Sequence, residues 1–461
     1  MMKGHAIVGV LLIGARLSLA AFCRSNDPCW PSMDDWKMLN NSINGNLILL
    51  QPPMKECWLA KSEDLCQALF TNSSNADWRS SIPSAYNLPF WESDPLSGAM
   101  CFPRTDATAH WVAVGDCPRG GTPYYGVAVK NSSHISSALK FAQDKNIRIV
   151  IKSSGHDMQG RSAGDKDSLM IWMSTFTGVK IQNFSTGCSG SIPLPAITSI
   201  GGTRFGQLYK AADAAGYVVV GGTSRTVCPA GGWIQSGGHS PLSSFLGLGV
   251  DQVLQFTAVL ADRTEVTASP CNRADLFWAL RGGGGGSFAV VTSVTFRLHP
   301  KRPLSALRAS VYLTSPTSLP FFARLLPLVS RLSQSGAGVA LGGYLTADWD
   351  GGRPRVTVDF LLNSSLAAAA PALMGLIPGQ EAHLDEYPSF YDWHRDRFPW
   401  DSPEPAGYSY NWPSRLVPRG MCEDDDGVAG LAAALAAMHQ DPNAQITVAM
   451  VAGAGVSARG A

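Results

Sequence analysis

The five residues Ser153-Ser154-Gly155-His156-Asp157 have the types and order that most directly suggest chemistry in this chain. A short turn of small residues exposes several backbone N–H groups, and such concavities bind phosphate. A histidine held in that turn can present a ring nitrogen to an electrophilic carbon of a cofactor. A lone histidine is more often a surface or hydrogen-bonded group, so the turn gains weight only from its surroundings. Gly221-Gly222-Thr223-Ser224 and the run Gly231-Gly232-Trp233-Ile234-Gln235-Ser236-Gly237-Gly238-His239-Ser240 supply them. Glycines let backbone approach a diphosphate or a planar ring where any Cβ would clash. Trp233, Ile234, Phe245 and Leu248 place apolar side chains among these glycines, which argues against a surface loop. Gly282–Gly286, between a helix and a strand that both read as buried, is expected to turn near the same ligand.

The elements that must position these turns alternate between helix and strand. Asn131 offers an N-cap to a helix with Ile135, Ala138, Leu139 and Ala142 at helical spacing. A strand over 147–151 then runs straight into the His156 turn. A second helix places Leu208, Ala211, Ala212 and Ala215 on one face, with Gly216 as its stop. Strands are expected at 217–220, 254–260 and 288–298, with a helix from Asn272 through Leu280 between the last two. Pro300 and Pro303 mark a boundary. Beyond them a strand over 356–362 and an Ala-rich helix near Leu431 read as a second α+β domain.

The 461 residues carry a net charge of +1 and are 45% hydrophobic, enough for a large core and more than one lobe. Near-neutral charge without a long Lys/Arg run argues against a nucleic-acid partner. Residues 1–20, with Lys3 ahead of an apolar run and small residues at Ser18–Ala20, read as a signal peptide, and no membrane anchor is expected. Six of the ten cysteines fall early, at 23, 29, 57, 66, 101 and 117, in a Pro-, Ser- and Trp-rich stretch. An even set in an exported segment suggests disulfides and leaves their pairing open. Residues 21–116 are accordingly read as an irregular, disulfide-pinned N-terminal wrap, and along the whole chain sequons at Asn40, Asn72, Asn131, Asn183 and Asn363 suit glycosylation. No zinc spacing, strict G-x-G-x-x-G after a strand, Walker A or H-E-x-x-H motif is present, so zincin, NAD-Rossmann and P-loop readings lose their usual support.

Three stretches, Ile151–Ser162, Gly221–Val253 and Asp275–Val294, together with Cys29-Trp30-Pro31-Ser32 and Ser414–Pro418, carry a resemblance. In order and spacing they are similar to the secreted fungal branch of the berberine-bridge-enzyme-like oxidases, which have the vanillyl-alcohol-oxidase (PCMH-type) fold. The resemblance implies an α+β chain with a two-lobed PCMH-type FAD-binding domain over 117–300 and a substrate domain over 301–461. FAD would lie between the lobes, bonded covalently through His156. Ser153, Ser154, Gly155, Asp157, Gly231, Gly232, Gly237, Gly238 and His239 fall where family backbones wrap the diphosphate and ring. The implied reaction moves a hydride from an alcohol or similarly activated C–H carbon to the flavin, with O2 as acceptor and H2O2 as product. A flavin-dependent tailoring enzyme of fungal secondary metabolism and a non-catalytic degenerate flavin fold are the alternatives.

The chain departs from the family pattern twice. The position of a second flavin-linking cysteine falls on Ser224, while a thiol stands nearby at Cys228. Single attachment through His156 is the expectation, because a four-residue offset is large for a site needing sub-ångström placement. The Gly/Ala-rich tail after Val451 reads as a shortened end of the substrate domain. Tyr344, Tyr408, Tyr410 and His394 are candidate bases in the substrate half, none of them singled out. The role of Asp251 is left open, as are the substrate and the oligomeric state.

Overall fold

A computed structural model describes residues 22–59, 62–94, 97–105, 111–112, 115–334, 341–362, 375, 382–399, 413–441 and 444–450. The proposed leader, Asn363, Tyr408, Tyr410 and the tail after Met450 lie outside the described residues.

Among these, three larger sheets organise the chain. In the first, β1 (Leu47–Leu49) pairs antiparallel with β2 (Tyr125–Ala128). β2 and β3 (Ile149–Lys152) flank β4 (Leu169–Trp172) in parallel. Parallel strands need cover on both faces, and these have it. Helix α1 (Ser132–Asp144), whose His134 N–H donates to the Asn131 cap, buries Ile135, Ala138 and Ala142 against Val127, Leu169 and Ile171. On the other face Val150 and Met170 meet Leu50, Tyr86 and Ala163.

The second sheet is antiparallel, with β5 (Val179–Phe184), β6 (Leu194–Ile200), β7 (Val253–Val259), β8 (Glu265–Ala268) and β9 (Val290–Arg297) in the order β8-β7-β9-β6-β5. Helix α2 (Phe205–Ala214) packs Phe205, Leu208 and Tyr209 against Ile197, Phe256 and Val294. It stops at Gly216, whose φ of +81° only glycine adopts freely. These two sheets are the two expected lobes. The strand expected over 217–220 is only Tyr217–Val218, paired with His299–Pro300.

The third sheet holds β10 (Leu304–Tyr312), β11 (Leu341–Asp350), β12 (Arg353–Leu362), β13 (Ala382–Tyr387) and β14 (Ile446–Met450), ordered β13-β10-β12-β11-β14. One face carries α3 (Ser315–Gln334) and α5 (Asp425–Met438). Leu307, Val358 and Phe360 pack there on Phe322, Leu325 and Leu435. The other face sends Ala306 and Leu361 into the core of the second sheet, beside Phe390 and Trp393 of α4 (Phe390–Arg397).

The N-terminal stretch is less irregular than its composition suggests. It holds helices at Met33–Ser42, Glu63–Ser73 and Ala76–Ser81 and supplies β1 to the first sheet. Trp36, Leu39 and Ile43 enter the first lobe's core, so tertiary packing holds short helices that propensity alone would not. Bridges Cys23–Cys29, Cys57–Cys66 and Cys101–Cys117 pin it. A fourth, Cys188–Cys271, joins the loop between β5 and β6 to the end of β8. Cys228 and Cys422 are free thiols, the first buried.

Candidate functional site

A cavity of about 850 Å³ gathers most of the residues singled out in the sequence. Its wall includes Ser153, Ser154, Gly155, His156 and Asp157, then Cys228, Gly231, Gly232 and His239, and finally Gly285 and Gly286. Apolar side chains of both lobes complete it, among them Leu139, Ile149, Val259 and Val290. A polar turn and an apolar slot in one cavity suit a ligand with an anionic linker and a flat ring, and the volume falls in the range of cofactor sites.

The His156 turn is held from behind. Gly155 has φ +86°, and a Cβ there would sit 3.0 Å from Lys152 Cε and 3.2 Å from the Ala85 carbonyl oxygen. The N-terminal segment grips the turn directly. Asn87 N–H donates to the Gly155 carbonyl at 2.9 Å, and the Tyr86 hydroxyl donates to the Ala163 carbonyl at 3.1 Å. Lys152, fully buried at the end of β3, donates from Nζ to the Ile82 carbonyl at 3.1 Å, 5.1 Å from the Tyr86 ring centre. Beneath them lies the buried ion pair Arg79–Glu92. Burial raises the Glu92 carboxyl, and Arg79 opposes that shift. Burial also brings the Lys152 ammonium down to about 7, against the pull of Glu92. Nothing in local sequence pattern marks this cluster, because its members come from segments 60 or more residues apart. A buried lysine one step before the turn is the nearest thing to a signal.

His156 itself is half-buried, with Nε2 2.7 Å from the Thr226 hydroxyl. Thr226 is fully buried, and Ser224 Oγ lies 3.4 Å from its hydroxyl. The Asp157 carboxylate is engaged locally, accepting from Gln159 N–H and Ser162 N–H with Arg161 3.5 Å away, so it shapes the turn.

The glycines divide by role. A Cβ on Gly231 would come within 2.9 Å of Ser153 Oγ, and one on Gly285 within 3.1 Å of the Gly232 Cα. These glycines let the three turns meet. Gln235 ties two of the turns together: its Nε2 donates to the Gly231 carbonyl, and its Oε1 accepts from Gly286 N–H. Gly237 and Gly238 do not line the cavity. Their φ values of +104° and +72° make a turn beside the Trp233 ring, which would lie 2.9 Å from a Cβ on Gly238. Spacing alone could not separate a turn glycine from a wall glycine.

Cys228 lines the cavity, but its Sγ donates to the Gly202 carbonyl at 3.4 Å, and burial pushes the thiol up to about 11. Of the candidate bases, His394 is buried with Nε2 2.6 Å from the Thr223 carbonyl, a contact that anchors the 221–226 passage to α4. Tyr344 of β11 does not itself line the cavity, but its hydroxyl lies 3.2 Å from Nδ1 of His239, which does. Asp251 caps a short turn by accepting from Leu248 N–H at 2.8 Å, with Arg281 3.7 Å away.

Comparison with known proteins agrees with this geometry. Residues 123–269 match the family model described as FAD binding domain. The FAD-linked oxidoreductase apf9 of Gibberella fujikuroi is 37% identical over 350 residues, 73% of this chain and 57% of that protein. The FAD-linked oxidoreductase asqF of Emericella nidulans is 31% identical over 91% of this chain and 73% of its own length. Among solved structures, the VAO-type flavoproteins MtVAO713 and MtVAO615 of Myceliophthora thermophila superpose with TM-scores of 0.80 and 0.76. Their identities are 26% and 27%, over 95% and 91% of this chain and 79% and 76% of theirs. The match to apf9, and one to malF of Malbranchea aurantiaca, span little more than half of those relatives.

Proposed function

The chain belongs to the VAO-type FAD-linked oxidoreductases, and from that premise we propose that it is a berberine-bridge-enzyme-like oxidase with FAD bonded through His156. The observation that carries the reading is His156 on the wall of a glycine-lined cavity with Nε2 fixed by Thr226. In the tautomer that donates Nε2–H to this hydroxyl, the Nδ1 lone pair is left for the bond, which supports the reading. Bound FAD would take a hydride from an alcohol or similarly activated C–H carbon and pass the electrons to O2, releasing H2O2.

The chain's own residues bind and orient. Ser153, Ser154 and Gly155 offer the polar turn for the diphosphate, and Gly231, Gly232 and Gly285 keep side chains out of the space beside it. Leu139, Ile149, Val259 and Val290 shield the cavity from water. Single attachment is supported by Cys228: with its thiol near 11, on the order of one part in ten thousand is thiolate at neutral pH. Four disulfides and exposed sequon asparagines at 72, 131 and 183 support an exported protein.

The test is a visible spectrum of purified protein, native and after acid precipitation, beside His156→Ala. Yellow colour that stays with the wild-type pellet and washes out of the variant supports attachment at His156. Colour retained in both pellets moves the bond to another residue. A folded, colourless protein ends the flavoenzyme reading.

A further inference from the structure

The third sheet touches the glycine-rich passage through two side chains that can both carry a proton. The Tyr344 hydroxyl lies 3.2 Å from Nδ1 of His239, their rings near-perpendicular with centres 5.8 Å apart. The Thr223 hydroxyl is the other polar neighbour of the phenol, and both Thr223 and His239 line the cavity. The approach of β11 is fixed two residues earlier. A Cβ on Gly342 would stand 1.9 Å from the Pro241 carbonyl oxygen, so the strand sits backbone-to-backbone against the loop that carries His239.

Resting on the oxidase reading, we propose that Tyr344 and His239 form the relay that takes the hydroxyl proton of an alcohol substrate. The substrate O–H bond breaks and its proton passes to the phenolic oxygen, while the phenolic proton passes to Nδ1 of His239. With FAD bound as the oxidant, the substrate C–H pair would leave as hydride and the carbonyl would form. The imidazolium then returns its proton to water.

The electrostatics give each partner the required starting state. Burial lowers the His239 imidazole below its ordinary value and raises the Tyr344 phenol above its own, so near neutrality the ring is a neutral acceptor and the phenol a protonated donor. Asp359 stands directly opposite Tyr344 on β12 and, raised by burial to about 6, is largely ionised near neutrality, which holds the phenol proton more firmly. Tyr209 of α2 is the remaining titratable group interacting with Tyr344, and burial keeps its phenol protonated as well. His394, engaged with the Thr223 carbonyl, steadies the passage from the far side.

The experiment uses full-length holoenzyme and two readouts. In protein labelled with [13Cε1]histidine, the resonance missing from His239→Gln should titrate below the usual imidazole range. Because the phenol donates to the neutral ring, Tyr344→Phe should raise that value by about half a unit or more. Peroxide release is then followed across pH with benzyl alcohol, glycerol and glucose as probe alcohols. Tyr344→Phe and His239→Gln should each lower kcat at least 100-fold with KM within threefold, the double variant should be no slower than the worse single, and His239→Gln should erase the acidic limb. An unmoved His239 titration, an unchanged kcat in Tyr344→Phe, or multiplying effects overturn the relay while leaving flavin binding intact. A protein without flavin, or a yellow one that releases no peroxide from any probe, fails at the oxidase reading instead and removes the relay with it.

Discussion

Replacing Thr226 by Val tests the site at its tightest point. The substitution keeps the branched shape in a fully buried position and deletes only the hydroxyl 2.7 Å from His156 Nε2. Removing a hydrogen bond to a group in such a place costs about 1–3 kcal/mol. If that hydroxyl orients the imidazole for attack, the loss falls on the barrier to attachment, and about 1.4 kcal/mol is tenfold in rate. Attachment should therefore slow by roughly 5- to 150-fold, while non-covalent FAD affinity stays within a fewfold because the glycine walls are untouched. The assay incubates apoprotein from riboflavin-starved cells with FAD, quenches samples in acid and measures flavin in the washed pellet over time. Thr226→Ser, which keeps the hydroxyl, should restore most of the rate. Attachment by Thr226→Val at the wild-type rate, or a Ser variant as slow as the Val one, would refute the reasoning.

Cys228→Ser should leave acid-stable flavin unchanged, and a thiol reagent should label partly exposed Cys422 in native protein but reach buried Cys228 only on unfolding. Lys152 gives a pH signature. Its folded value of about 7 lies below the usual lysine value of about 10.4, so between the two the unfolded chain binds more protons and stability rises with pH. Thermal melts from pH 7 to 9 should show wild type gaining on the order of 1 kcal/mol per pH unit relative to Lys152→Met; parallel curves would remove the shift. Glu92→Gln leaves Arg79 without its buried counter-charge and should cost about 3–5 kcal/mol by denaturant melts, against under 1 for an exposed pair such as Lys37–Asp34. Gly342→Ala, with no room beside the Pro241 carbonyl, should destabilise by about 1–3 kcal/mol and loosen the Tyr344–His239 contact, read as a shifted His239 titration.

What the sequence disclosed was mostly local. The Asn131 cap, the Gly216 stop and the strand expected over 288–298 depend on nearby residues, and they appear where the sequence put them. The His156 turn and the 231–232 glycines were legible because a missing Cβ beside small polar residues is a local statement about space. The N-terminal helices were hidden by a Ser-, Asn- and Trp-rich composition that tertiary packing overrides. Gly237 and Gly238, which the resemblance places among the backbones that wrap the cofactor, turn beside Trp233 and do not line the cavity: sequence records that a backbone bends without recording toward what. The longest-range features were invisible in principle. Tyr344 and His239 are 105 residues apart and Lys152 and Ile82 are 70 apart, so no periodicity links them.

The grip of residues 79–92 on the His156 turn also sets an order of events. This segment emerges early from the ribosome, yet its partners Lys152, Gly155 and Ala163 follow some 60 to 80 residues later. Until they arrive, Arg79 and Glu92 have no interior to occupy and the turn has nothing behind it. A covalent bond at His156 would then form only on a chain whose first hundred residues have docked. The yellow colour of such a protein would act as a receipt for completed folding, and a chain that misplaced its N-terminal segment would remain pale even with its cofactor cavity otherwise assembled.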